Sequence, residues 1–243
     1  MFRVRFRLPK GHWASYRYLD LVHDALVTGL TAAGAAPEQV LGPSAEAWNF
    51  AALGYHRRHE GQVHSLVVST PSAILTPHLA RLEPGAIRYA RTATAELFDF
   101  SAAQSSPELP PVIPQDQGVL GVLTLSPLAM RDPRQPGKRW HTRFGDCDLA
   151  AAINHRLSRI AQRPVTLNIQ PDSLYLRANP HHSVLVSTKQ DQQGRPAFVI
   201  ALEGPLVLSG RREDLLLAWH AGLGEKTRNG FGCIGLAEQG VGR

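Results

Sequence analysis

Two Gly-apolar-Gly triplets, Gly222-Leu223-Gly224 and Gly230-Phe231-Gly232, enclose five residues that include Lys226 and Arg228. Glycine opens backbone conformations closed to other residues, so an anionic ligand can approach main-chain N–H groups while the two cations neutralise it. The chemistry this stretch suggests is the holding of a phosphate backbone. A lone Gly-x-Gly would read better as a turn, here between a helix over 211–221 and a strand over 233–236. The doubled pattern with basic residues inside it is far less a chance arrangement.

Other chemistry-bearing residues are scattered. Eleven histidines add potential cations near neutral pH, and His23 sits in a segment of helical periodicity. His181-His182 is weak as a ligand pair. Cys147 and Cys233 lack metal-ligand spacing, and no cluster of carboxylates resembles a two-metal site, so no metal or cofactor is expected. The net charge of +6 with a pI near 9.7, at only 19% charged residues, makes a polyanion the first partner to consider. Nothing resembles a signal peptide or a run of about 18 apolar residues, so a soluble, reduced, cytoplasmic chain without a membrane partner is expected.

The elements that must position these groups follow from periodicity. Residues 1–8 alternate apolar and basic side chains, which predicts a strand with one buried and one cationic face. Ser15 is the expected cap of a helix running to about Ala33, with Leu19, Val22, Leu26 and Leu30 as its buried stripe and His23 at the edge of that face. Strands are expected over 48–53, 63–69 and 86–100, with a short helix over 72–82. The order βαββαβ is the ferredoxin-like unit also used by RNA-recognition domains. Residues 101–118, rich in Ser and Gln with four prolines, read as a stiff connector. This divides the chain into 1–100, a linker 101–118, and 119–243.

In the second half, 121–129 is β-rich and ends near Ser126-Pro127. Residues 131–163 form the most basic stretch, with eight Lys or Arg against three Asp. Within it a helix over 148–162 carries Leu149, Ile153, Leu157 and Ile160 on one face and Arg156, Arg159 and Arg163 on another. These arginines, with Lys138, Arg139 and Arg143 in a loop beside Trp140 and His141, read either as a solvated face or as a clamp along an RNA duplex. Residues 165–176 and 183–188 look like paired strands, followed by a turn at Gln193-Gly194, a strand over 198–202 and a helix over 212–220. The fold class expected is α+β: two tandem ferredoxin-like domains, the second with a basic helical insertion over 131–163.

The stretch 222–232 resembles the C-terminal signature of the CRISPR repeat-processing endoribonucleases of the RAMP superfamily: glycine, hydrophobic, glycine, five residues, glycine, hydrophobic, glycine. All six signature positions match, and a strand ending in Ser-Pro similarly opens the second domain of family members. The resemblance implies an endoribonuclease that binds CRISPR repeat stem-loops and cuts the precursor once at the 3′ base of the stem. Attack by the RNA 2′-hydroxyl, without metal, would leave a 2′,3′-cyclic phosphate. The implied partners are CRISPR repeat RNA and, through a retained product, the proteins of a CRISPR effector complex. Gly222, Gly224, Lys226, Arg228, Gly230 and Gly232 would position RNA. His23 falls where the family places a catalytic Tyr or His. The family's second His falls near Glu38, where this chain has none. Tyr16, seven residues before His23 on the same helical side, is the expected partner, with His12, His56 and His59 as alternatives and Arg57 and Arg58 as charge stabilisers. A non-catalytic RNA-binding subunit is the competing reading. A small-molecule enzyme on the same fold would leave the basic stretch unexplained.

Overall fold

Alternation of basic and apolar residues makes the first strand, β1 (Phe2–Arg7), with Val4 and Phe6 buried on one face. The computed structural model describes residues 1–57, 60–134, 140–190 and 193–239. The first helix, α1 (Leu19–Ala32), buries the expected stripe of Leu19, Val22, Leu26 and Leu30. It ends where Gly34, at φ +95°, lets the Gly34 and Ala35 N–H groups turn back to the carbonyls of Thr31 and Leu30. Strands β3 (Asn49–Arg57) and β4 (Glu60–Thr70) follow as an antiparallel pair, and a short helix α3 (Thr76–Ala80) comes after them.

Ser15 does not cap α1. Gly11, at φ +83°, reverses the chain, and residues 14–16 form strand β2 (Ala14–Tyr16) against β4 in register Ser15↔Gln62. Tyr16 is therefore on a strand and does not share a helical face with His23. The single strand expected over 86–100 is instead a hairpin of β5 (Arg88–Arg91) and β6 (Glu96–Asp99), folded over at Ala95, whose φ is +53°.

The proline-rich stretch is not a bare connector. It contributes β7 (Gln104–Pro107), which pairs with β1 at the sheet edge, where a proline without an N–H is tolerated. Just beyond it, Glu108 accepts hydrogen bonds from the guanidinium groups of Arg3, at 2.6 Å, and Arg5. The strand order is thus β7-β1-β4-β3, with β2 also pairing with β4. Counted as four strands of one unit, that is fourth-first-third-second, the ferredoxin-like order.

The same order recurs downstream. β8 (Gly118–Thr124), α4 (Leu149–Ala161), β9 (Asn168–Pro171), β12 (Pro205–Gly210), α6 (Arg212–Ala221) and β13 (Ile234–Leu236) build the sheet β13-β8-β12-β9. Helix α4, capped by the Asp148 carboxylate on the Ala151 N–H, is the first crossover of this unit rather than part of an insertion. Residues 173–178 are the helix α5 (Ser173–Ala178), because Asp172 accepts from the N–H groups of Leu174 and Tyr175 and caps it. The strand pairing expected with 165–176 does not occur. β10 (Ser183–Gln190) pairs instead with β11 (Pro196–Leu202) in a separate hairpin. Strand β12 went unseen in the sequence, where no element is placed between the strand over 198–202 and the helix over 212–220.

Each sheet has its own core. Phe6, Leu26, Trp48 and Phe50 anchor the first, and Val122, Ile153, Leu157 and Trp219 the second. A small third cluster of Ala51, Leu53, Val67, Leu125 and Cys233 joins them. Arg3 lies in this seam, 1% exposed, its guanidinium 4.1 Å above the Trp219 ring. The cationic face of β1 therefore faces partly inward at Arg3. His220, also in the seam, has its Nδ1 3.2 Å from the Ser69 hydroxyl; burial and the charge of Arg3 pull its pKa down to about 4.

Candidate functional site

The glycine-rich loop is a keystone between the two halves. Leu223 is buried in the second core, and Phe231 is fully buried in the first. Burying Phe231 stabilises the join by about 2–3 kcal/mol. The glycines are required by close approach. A Cβ on Gly232, at φ +69°, would lie 1.8 Å from the Leu223 carbonyl oxygen. One on Gly230, at φ +83°, would meet the Phe50 ring at 2.8 Å. The N–H groups of Gly222, Gly230 and Gly232 donate to the carbonyls of Ala218, Thr227 and Pro127. These three donors serve the loop itself rather than facing a ligand. The glycines shape the loop, and its tip, 225–229, presents the side chains.

At that tip Lys226 adopts φ +55°, and its ammonium lies 5.8 Å from the centre of the Trp140 ring. Arg228 donates to the Gly42 carbonyl at 2.9 Å. The Thr227 hydroxyl donates to the Trp48 carbonyl at 3.2 Å. The loop tip is thus docked on the segment that leads into β3.

Arg156 is corrected as well. Its guanidinium is buried and donates to the carbonyls of Gly222 (2.9 Å) and Ala221 (3.1 Å) and to the Thr227 hydroxyl (2.8 Å). Burial, reinforced by the charge of Arg228, lowers its pKa to about 10. Arg156 staples the loop from the floor of a cationic groove, its guanidinium held by these three acceptors. Arg159, three residues on, is exposed. Arg143 is also exposed, just ahead of the turn at Phe144–Asp146, and does not join the other cations. Lys138, Arg139, Arg58 and His59 lie outside the described residues.

Arg159, Arg163, Arg212, Lys226 and Arg228 line this one groove of about 1250 Å³ together with the stapled Arg156, and residues 44–47 and 71–74 line it as well. Arg163 is held there by Asp214 at 2.6 Å and Glu213 at 3.3 Å, while Arg212 is exposed. The tertiary structure gathers cations from α4, α6 and the loop tip that are dispersed over 159–228 in sequence. Such a groove raises the local concentration of a polyanion and follows its backbone.

His23 is tied to the loop of this assembly through Trp48, whose carbonyl accepts from Thr227. The His23 side chain is 13% exposed, its Nδ1 is 3.1 Å from an Asp24 carboxylate oxygen, and its ring stacks on Trp48 at 5.8 Å. Trp48 is fixed by its indole N–H donating to the Val40 carbonyl. Burial pushes the Asp24 carboxyl up, but the hydrogen bonds and charges of His23 and Arg91 outweigh it and hold the carboxyl below its usual range. Arg91 also donates to Asp20, forming a chain His23–Asp24–Arg91–Asp20. A proton on Nδ1 directed to Asp24 leaves Nε2 to take or give a proton. Asp24 was missed in sequence, since adjacent helical residues do not share a face; only the side-chain geometry reveals the pair.

Tyr16 is not beside His23 on the helix. Its phenol is buried, and burial drives its pKa up beyond the normal phenol range, so it is suited to donating a hydrogen bond rather than to acting as a base. Glu38 is exposed on α2 (Pro37–Val40), so nothing there replaces a second histidine. His12 is exposed in the turn before β2. His56 lies on β3. Among the described residues no helix is long and apolar enough to cross a membrane.

Residues 109–236 match the family model described as CRISPR associated protein Cas6, C-terminal. No curated protein sequence matches the chain. Among solved structures, a Cas6-related gene product from Pyrococcus furiosus is similar at 14% identity and a TM-score of 0.66, over 97% of this chain and 98% of that one. A RAMP protein described as binding different RNA substrates is similar at 13% identity and a TM-score of 0.64, over 97% of this chain and 99% of that one. A CRISPR associated protein Cas6 is similar at 12% identity and a TM-score of 0.61, over 97% and 98% of the two chains.

Proposed function

The chain belongs to the Cas6 family of CRISPR-associated proteins, the family that processes CRISPR repeat RNA, and on that premise we propose that it is a metal-independent endoribonuclease. It binds the repeat stem-loop of a CRISPR transcript and cuts it once, and the RNA's own 2′-hydroxyl attacks the neighbouring phosphate. The observation that carries this reading is the convergence of Arg159, Lys226 and Arg228 in one groove whose loop is docked on Trp48, the residue on which His23 stacks. The cations hold the phosphate backbone, and His23, oriented by Asp24, moves a proton at the scissile phosphate through Nε2. The cyclic phosphate and the 5′-hydroxyl are the products. Retention of the product within a CRISPR effector complex belongs to the same proposal.

The test uses the chemistry of the nucleophile. Cleavage of repeat RNA is expected to persist in excess EDTA, and a 2′-deoxy nucleotide immediately 5′ of the cut should abolish it while binding survives. Cutting of the deoxy substrate at the normal rate, or a strict need for Mg²⁺, would exclude this mechanism. Binding without cleavage of all-ribose RNA would favour the non-catalytic RNA-binding reading, to which the missing histidine at Glu38 points.

A second expectation separates groove from staple. Arg159→Ala combined with Lys226→Ala should weaken repeat binding and flatten its salt dependence, by roughly 0.7 to 0.9 in slope for each phosphate no longer neutralised. Arg156→Met should leave that slope unchanged. It should instead lower stability by about 3 kcal/mol, because three buried acceptors are deprived of a charged donor. Salt titrations of binding and thermal melts of the two variants measure both; an Arg156→Met slope as flat as that of the double variant would put Arg156 on the RNA after all.

A further inference from the structure

A cavity of about 580 Å³ lies between the N-terminal end of α1 and the β10–β11 hairpin, outside the cationic groove. Its volume is in the range of sites for small, compact ligands. Leu19 and Ala52 wall it from one half of the chain, and Pro127 and Val186 from the other. Arg17, exposed, lines it as well. Among its polar groups Ser126 is already engaged, its hydroxyl accepting from the Cys233 N–H and directed at the Phe50 carbonyl. Glu203 is different. Its carboxyl lines the cavity and has no hydrogen-bond or ion-pair partner among the described residues.

Asn229 lines the groove and the next residue, Gly230, lines the cavity, so the two sites meet the glycine-rich loop at consecutive residues. A single strand held by its phosphates in the groove can therefore turn one base into the cavity, between apolar walls. We propose that this cavity is a guanine-selective nucleotide pocket, in which Glu203 accepts hydrogen bonds from the N1–H and N2–H of an unpaired guanine and Arg17 meets its phosphate. The inference rests on the RNA-binding function proposed above.

The selectivity follows from the donor pattern of the four bases. Two adjacent carboxylate oxygens match two adjacent N–H donors, and only guanine offers these on its Watson–Crick edge. In adenine and cytosine a single amino group is flanked by an acceptor nitrogen that repels the carboxylate, and in uracil one N–H sits between two carbonyls. A carboxylate half-buried in the cavity without donors is less stable than one in water, and burial does push the Glu203 carboxyl above its usual range. The donors of guanine would relieve that cost.

The experiment is equilibrium binding of the RNA trinucleotides UGU, UIU, UAU, UCU and UUU to the full chain, with a long oligouridylate as a probe of the groove. The wild-type protein should bind UGU about tenfold or more tightly than UAU, UCU or UUU, the discrimination of a good bidentate contact. Inosine lacks the 2-amino group, so UIU should forfeit most of that advantage. In Glu203→Gln the preference for UGU should fall to about twofold or less, with oligouridylate binding unaltered. Equal binding of the trinucleotides by the wild-type protein would overturn the pocket, whatever the variant does, and with tight oligouridylate binding it would leave the proposed function standing. A guanine preference undiminished in Glu203→Gln would also overturn it. Failure to bind any RNA, oligouridylate included, would bring down the proposed function and the pocket with it.

Discussion

His23→Ala should lower the single-turnover rate of repeat cleavage by about 10²-fold or more while leaving RNA affinity nearly unchanged. The split between rate and affinity is the informative part. The cations that line the groove are Arg156, Arg159, Arg163, Arg212, Lys226 and Arg228, and His23 is not among the residues of its wall. Truncating it removes a proton-transfer group and spares the cations that hold phosphate. The ring is partly exposed, and it stacks on a side chain already fixed by Val40, so the truncation should cost little stability. Single-turnover assays with enzyme in excess, paired with equilibrium binding of an uncleavable 2′-deoxy substrate, read the two quantities separately. Undiminished cleavage in His23→Ala would move the chemistry elsewhere, with His12 and His56 the next groups to test.

Gly232→Ala is expected to be the most damaging single-methyl change in the loop, at about 4 kcal/mol or more. Two costs combine. A non-glycine residue at φ +69° is strained by about 1–2 kcal/mol. The new Cβ would also fall 1.8 Å from the Leu223 carbonyl oxygen, a backbone atom that cannot move aside alone. Relief requires breaking the Leu223 N–H bond to the Gly232 carbonyl and the Gly232 N–H bond to the Pro127 carbonyl, which together hold Phe231 in the first core. For a chain of this length the melting temperature should drop by roughly 8–16 °C. Gly11→Ala is the control, since Gly11 has a similar φ of +83° but open space around its Cβ; it should show only the backbone strain, about 1–2 kcal/mol. Equal melting temperatures for the two variants would show that the loop relaxes freely and is not the keystone described.

Local pattern carried much of the architecture. The period-two alternation of β1 and the buried stripes of α1 and α4 are readable along the chain, as are the first elements of the βαββαβ order through β4, because burial of one face of an element is written at its own repeat; the closing strand β7 and strand β12 are not. The glycine triplets were legible for a related reason: several glycines at positive φ leave a mark that no other residue type can replace. Less visible were interruptions within apparently regular runs. The 86–100 run folds back at Ala95, and the 165–176 run changes type where Asp172 caps a helix, both decided by one residue's backbone and hydrogen bonds.

The readable elements, the basic charge and the loop that binds the halves together thus follow from residue order alone. Which cations face outward does not, because it depends on groups remote in the chain. Arg156 and Arg159 lie three residues apart on one helix, yet the acceptors that draw Arg156 inward are 65 to 71 residues away. Arg3 is likewise taken from the cationic face of β1 by Trp219 and Glu108. The same holds for the pairing of His23 with Asp24, Arg91 and Trp48, and for the cavity that leaves Glu203 without a partner. Periodicity reports which side of an element is buried, but the fate of a charged group depends on which distant donors and acceptors the fold brings within about 3 Å of it.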